Sequence, residues 1–130
     1  TVAGGKYPHL CRFTEHLYQA LGDSLRIIAV DRPIEASIKS LRNRSSKHRG
    51  QWFAADDAHC EKLQRSLLDH RERFIASHPE VPVHRIEFAE LTAEPQRVIE
   101  QLIDFLGIEP TEDEIASAVA HVDPSLKRHG

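Results

Sequence analysis

Two segments of this chain read as β-strands, and what separates them is helical. Leu25–Val30 (LRIIAV) is a short, almost continuously apolar run rich in β-branched residues, the pattern of a strand buried on both faces, as in a parallel sheet. Val83–Phe88 (VHRIEF) alternates well enough for a second strand. Strands separated by helices imply a parallel sheet in an α/β layer architecture. A stable sheet normally needs roughly three strands or more. About five helices, counted by their 3.6-residue spacing, have too little sheet here to cover. The pattern therefore predicts an α/β fold that is incomplete in this chain, with the missing strands expected ahead of Thr1.

The helices have recognisable starts and stops. Pro8 to Leu21 carries Leu10, Phe13, Leu17 and Leu21 at helical spacing, and Gly22 follows as a stop. Pro33 starts a second helix whose buried stripe is Ile34, Ile38 and Leu41. Ser45–Ala55 shows no clear period and contains Gly50, which predicts a loop. A longer helix runs from about Asp56 to Ser77, with acids at its start and Leu63, Leu67, Leu68 and Phe74 as its apolar contacts. Thr92 is the expected cap of a helix through Val98–Leu106, which Gly107 ends. Thr111 and Glu114 form a capping box for a last helix, stopped by Pro124.

Composition removes several classes of function. The chain has 130 residues, with 17 Lys+Arg against 20 Asp+Glu and a formal net charge of −3. That length suits one domain, and the charge gives no whole-molecule case for binding nucleic acid. An aromatic content of only 6% weakens that case further. No apolar run approaches the ~18 residues of a membrane helix, and no signal peptide opens the chain. Two cysteines make no disulfide scaffold and agree with a reducing, cytoplasmic setting. His59, Cys60 and His70 lack a closed ligand spacing, so no metal is expected. A chain that begins at Thr1 and contains no Met reads as a processed or truncated piece.

The chemistry concentrates in Ile27–Arg44 (IIAVDRPIEASIKSLRNR). Arg32 stands at the carboxyl end of the first strand, the edge where open α/β sheets bind ligands. Ser40 and Arg44 follow on one helical face, four residues apart, beside the apolar stripe. Two guanidiniums and a hydroxyl converging there suit a phosphate. In the plainer alternative Arg32 pairs with Asp31 or Glu35 and Ser40 is an ordinary helical serine.

The segment R-P-I-E-A-S-I-K-S resembles the 3′-phosphate-binding motif of sulfotransferases that use 3′-phosphoadenosine 5′-phosphosulfate (PAPS). There, an Arg at a strand end and a Ser eight positions later hold the 3′-phosphate. The resemblance assigns that role to Arg32 and Ser40. Arg44 matches a further basic position of tyrosylprotein-type members. Upstream, G-G-K-Y-P is similar to the family's G-x-K-x-P segment, which makes Lys6 the catalytic cation that offsets charge on the departing phosphate oxygen. Downstream, I-E-F-A-E-L-T-A-E-P-Q-R-V-I-E-Q-L-I-D-F-L-G-I resembles the Y-E-D-L…P…FLG segment, with Phe88-Ala89 where the family often has Tyr-Glu. Phe88 retains the ring that packs near adenine and lacks the hydroxyl. The tail P-S-L-K-R-H resembles bacterial members, so Lys127 and Arg128 are expected over the nucleotide.

Taken from Gly5 to Arg128, the resemblance implies a P-loop-like three-layer fold with a parallel sheet. Residues 1–130 are then the C-terminal part of a single sulfotransferase-like domain. PAPS is the expected donor and adenosine 3′,5′-bisphosphate the product, with a hydroxyl or amine as acceptor and no metal. The family's second grip, a P-R-S-G-T-like phosphate loop, is absent, as is any G-x-x-x-x-G-K-[ST] sequence. That loop and the missing strand belong together upstream, so this part is expected to be inactive alone. The alternative is a non-catalytic nucleotide- or anion-binding module whose missing strand comes from another copy or a partner.

Overall fold

The structure, a computed structural model, describes residues 3–6, 8–47 and 56–122. After residues 3–6, which have no regular secondary structure, a 3-10 turn (Pro8–Arg12) leads into helix α1 (Thr14–Leu21), and strand β1 (Ile27–Asp31) follows. Helices α2 (Ile34–Lys47) and α3 (Asp57–Ser77) then carry the chain to strand β2 (Val83–Glu87). Three helices complete the described chain: α4 (Phe88–Ala93), α5 (Pro95–Leu106) and α6 (Glu112–His121).

β1 and β2 pair in parallel, with Ile27 opposite Val83 and Asp31 opposite Glu87. Because strand side chains alternate, Ile27, Ala29, Asp31, Val83, Arg85 and Glu87 share one face, and Ile28, Val30, His84 and Ile86 the other. On the first face Leu25, Phe74 and Val81 form a buried cluster, with Leu17, Tyr18 and Ile27 packed against it. This cluster fastens α1 and α3 to the sheet. A second cluster, Leu41 and Cys60 with Ile38 and Leu63, joins α2 to α3. On the other face α5 lies over β2, where the Phe105 ring stacks on His84 at 5.3 Å between centroids. Helices therefore lie on both faces of the sheet, the α/β arrangement expected from the sequence.

Local chemistry accounts for several boundaries. The Asp56 carboxylate caps α3 by accepting from the His59 amide at 2.7 Å. Thr111 and Glu114 form the expected reciprocal capping box on α6. Gly107 ends α5 at φ 65° and ψ 33°, a left-handed conformation that favours glycine. Its neighbour in space, Arg26, donates to the Phe105 carbonyl at 2.6 Å and so satisfies an end group of α5.

Other boundaries depart from the sequence expectations. The first helix is broken: the Leu10 carbonyl accepts from the Phe13 amide and the Thr14 hydroxyl, both at 2.9 Å, so Pro8–Arg12 closes as a 3-10 turn. The strands end at Asp31 and Glu87, leaving Phe88 as the first residue of α4. Ser45 to Lys47 continue α2 instead of opening a loop, and the remainder of that predicted loop lies outside the described residues. Thr92 caps nothing; inside α4 its hydroxyl donates to the Phe88 and Ala89 carbonyls, and Pro95 starts α5. β1 is covered on one face only among the described residues, with Ile28 41% and Val30 48% exposed.

Phe74 anchors the larger cluster at 7% exposure, and His78 stacks on it at 4.1 Å. Phe74→Ala is expected to cost about 3–5 kcal/mol, the usual penalty for an aromatic-to-alanine truncation in a core. Urea denaturation followed by circular dichroism measures it. A loss under about 1 kcal/mol, the scale of a surface substitution, would contradict the packing described.

Candidate functional site

The register of the sheet creates the site. Asp31 and Glu87 are partners at the carboxyl ends of the two strands, so the residues that follow them, Arg32 and Phe88, emerge side by side. The Arg32 guanidinium carbon lies 5.7 Å from the centre of the Phe88 ring. That distance is within cation–π range. Arg32 is also held from α2, because its Nε–H donates to Ser37 Oγ at 3.0 Å. A guanidinium fixed by a ring and a hydroxyl, at the ligand-binding edge of a parallel sheet, is a candidate anion and nucleotide site.

Of the residues singled out from the sequence, Arg32 and Phe88 are brought into contact. Ser40 lies in α2 and is 7% exposed. It stands one helical turn beyond Ser37 on the same face. Arg44 is in α2 one turn further on, and its side chain is outside the described residues. Lys6 is exposed in the irregular stretch before the 3-10 turn, with no described contact to Arg32. Lys127 and Arg128 lie outside the described residues. Ser37 is the hydroxyl that touches Arg32, whereas the sequence motif points to Ser40. The available signal for Ser37 was its position in the first turn after Pro33, facing back towards the strand end.

A second feature had no sequence signal. Arg71 in α3 donates through Nη2 to Asp31 Oδ1 and, at 2.8 Å, to Glu72 Oε1. Arg85 in β2 grips Glu72 with both terminal nitrogens, at 2.9 and 2.6 Å, and its Nη1 is 3.8 Å from Asp31 Oδ2. Each cation thus meets both carboxylates, and the four side chains form a closed ring. The Arg85 contact, opposed by burial and reinforced by Arg71, lowers the Glu72 carboxyl to about 2. Burial works against the charge on Arg71, but the carboxylates of Asp31 and Glu72 outweigh it and raise its pKa. The half-buried Cys11 thiol is pushed up by burial and pulled the other way by the Arg71 charge. The 3-10 turn packs against α3, which places Cys11 within the field of Arg71.

Two open grooves mark the surface, one along α3 lined by Lys62, Arg65, Asp69 and Glu72, the other between α4, α5 and α6. Neither is lined by Arg32, Ser40 or Phe88. No group of three or more His, Cys, Asp or Glu among those residues could hold a metal ion. No helix among them is long and apolar enough to cross a membrane.

An α/β layer with a guanidinium held at the carboxyl edge of a parallel sheet places that side chain where open α/β sheets bind ligands. The model of a sulfotransferase family matches residues 2–113, and the chain belongs to that family. The chemistry of such a family is sulfuryl transfer. No curated protein and no solved structure gives a significant match.

The ring makes a pH prediction. A folded-state carboxyl held below its ordinary 4.5 contributes stability that is present above that value and lost as pH falls through about 2. Glu72→Gln is therefore expected to melt at a lower temperature than wild type at pH 7, with the two converging as pH drops towards 2. Thermal melts across that range check it. A difference that does not change with pH would contradict the ionic role.

Proposed function

We propose that residues 1–130 are the C-terminal part of a PAPS-dependent sulfotransferase domain and carry the half that binds the nucleotide's 3′-phosphate. The observation that carries this reading is the contact of Arg32 with Phe88, two residues far apart in sequence that the family resemblance assigns to one nucleotide. The donor set fits such a ligand: a guanidinium forks onto phosphate oxygens, hydroxyls add neutral donors, and an aromatic ring suits a flat base. PAPS, when bound, supplies the activated sulfuryl group that is moved to a hydroxyl or amine acceptor.

In this reading Arg32 binds the 3′-phosphate, together with Ser40 and Arg44, and Phe88 lies against the adenine. Ser37 keeps the Arg32 side chain in place, which lowers the ordering cost of binding. Lys6 offsets negative charge at the departing phosphate oxygen. Lys127 and Arg128 close over the nucleotide. The grip on the sulfate end, a P-loop-like element, comes from sequence outside these residues, so binding without turnover is expected of the 130 residues alone. Two strands are fewer than a stable sheet normally has, and the exposed Ile28 and Val30 leave one face of β1 to be covered; in this reading upstream sequence or another copy supplies the rest.

Calorimetric titration of adenosine 3′,5′-bisphosphate, with AMP as control, tests the reading. Wild type is expected to prefer the 3′-phosphorylated nucleotide. Arg32→Ala is expected to bind roughly ten- to a hundredfold more weakly, the scale of about 1.5–3 kcal/mol for hydrogen bonds to a charged group. Equal affinity for AMP, or unchanged binding by Arg32→Ala, would overturn the assignment.

A further inference from the structure

The ring of Asp31, Arg71, Glu72 and Arg85 occupies an informative place. Two of its members sit on the strands just before the site: Asp31 immediately precedes Arg32, and Arg85 lies three residues before Phe88. The other two come from the middle of α3, the helix fastened to the same face of the sheet. We propose that this ring is a positioning device that sets the carboxyl ends of β1 and β2 and so holds Arg32 over Phe88, with Arg71 as its principal positioning residue. The proposal rests on the reading that Arg32 and Phe88 bind the nucleotide.

Three observations carry it. The ring is closed across three elements, so moving either strand end relative to α3 stretches at least two contacts at once. Its Arg71–Asp31 side is also more sheltered than the i, i+4 ion pairs of α3, while Arg85 and Glu72 stand 47% and 45% exposed on its outer side. The Arg71 and Asp31 side chains are 15% and 28% exposed, against 63% and 45% for Arg65 and Glu61. Finally, the geometry uses what only a guanidinium offers, since Arg71 reaches two carboxylates and Arg85 takes Glu72 with both terminal nitrogens.

Stability alone does not call for such a ring. Sheltered ion pairs are often replaced by apolar residues without loss, because desolvation offsets the attraction. What an apolar contact cannot supply is direction. Charge-assisted hydrogen bonds fix angles as well as distances, and the residue after Asp31 is the one whose aim matters. The low pKa of Glu72 keeps the ring charged throughout the neutral range.

The test compares Arg71→Leu, Arg71→Lys and the nearly isosteric Asp31→Asn with Arg65→Leu, which removes an exposed pair on the same helix. Two quantities are read under folded conditions: affinity for adenosine 3′,5′-bisphosphate, and the water-exchange rate of the Arg32 Nε–H by NMR. Arg71→Leu and Asp31→Asn are expected to weaken binding about tenfold or more, the scale of ångström misplacement, and to speed Arg32 exchange. Arg71→Lys recovers part of both, and Arg65→Leu changes neither. A lower melting temperature in Arg71→Leu with affinity and exchange matching Arg65→Leu would show a purely structural ring and overturn the proposal. If wild type shows no preference for the bisphosphate, the nucleotide reading fails. The exchange rate alone then decides the positioning role: faster exchange sustains it and unchanged exchange ends it. If Arg71→Leu does not fold, Asp31→Asn decides by the same two readouts.

Discussion

Parallel pairing of β1 with β2 is the constraint on which the rest of the structure depends. Parallel neighbours cannot be joined by a tight turn, so the chain must cross from the end of one strand to the start of the next. Here that crossing contains α2 and α3. The crossing helices have to be held against something, and the two small apolar clusters do this: Leu25, Phe74 and Val81 at the sheet, Leu41 and Cys60 between the helices. The same pairing makes both strands end at one edge. A guanidinium placed after β1 and a ring placed after β2 must then meet, which is how Arg32 comes to lie over Phe88.

Electrostatics is divided unevenly over this frame. The pairs Arg65–Glu61 and Arg73–Asp69 run along the exposed side of α3 and have the i, i+4 spacing of a solvated helix. Pairs of that kind contribute about 0.3–0.5 kcal/mol each. The four-residue ring is different in kind, because two strands and a helix converge on it and Arg71 is largely withdrawn from water. It lies on the sheet face that α3 covers, between the candidate site at the end of β1 and the Leu25–Phe74–Val81 cluster. The surface opposite, with Ile28 and Val30 exposed, has no comparable arrangement among the described residues.

The sequence was most informative where the interaction that decides the structure is local. Asp56 and Thr111 cap helices through contacts three residues along, and Gly107 takes a left-handed turn that its lack of a Cβ permits. It misled where two local options compete. Thr92 has the chemistry of a cap, yet its hydroxyl returns to carbonyls within its own short helix. Ser37 and Ser40 are one turn apart, and only the position of the Arg32 side chain distinguishes them. Burial of β1 on both faces was read from a continuous apolar run, but burial depends on what packs alongside, and one face is uncovered among the described residues.

By itself, the sequence determined the two strands, the main helices between and after them, the parallel α/β class, and through resemblance the family, while drawing attention to Arg32 and Phe88. Those features depend on spacing of two to four residues, or on a motif that is contiguous in the chain. Tertiary structure alone decided that Arg32 and Phe88 touch, that Ser37 holds Arg32, and that Asp31, Arg71, Glu72 and Arg85 close into a ring. Asp31 and Arg71 are 40 residues apart, and no periodicity relates them. Their meeting is fixed by where α3 crosses the sheet, which is set by the apolar packing of Phe74, one helical turn from Arg71, against Leu25 and Val81.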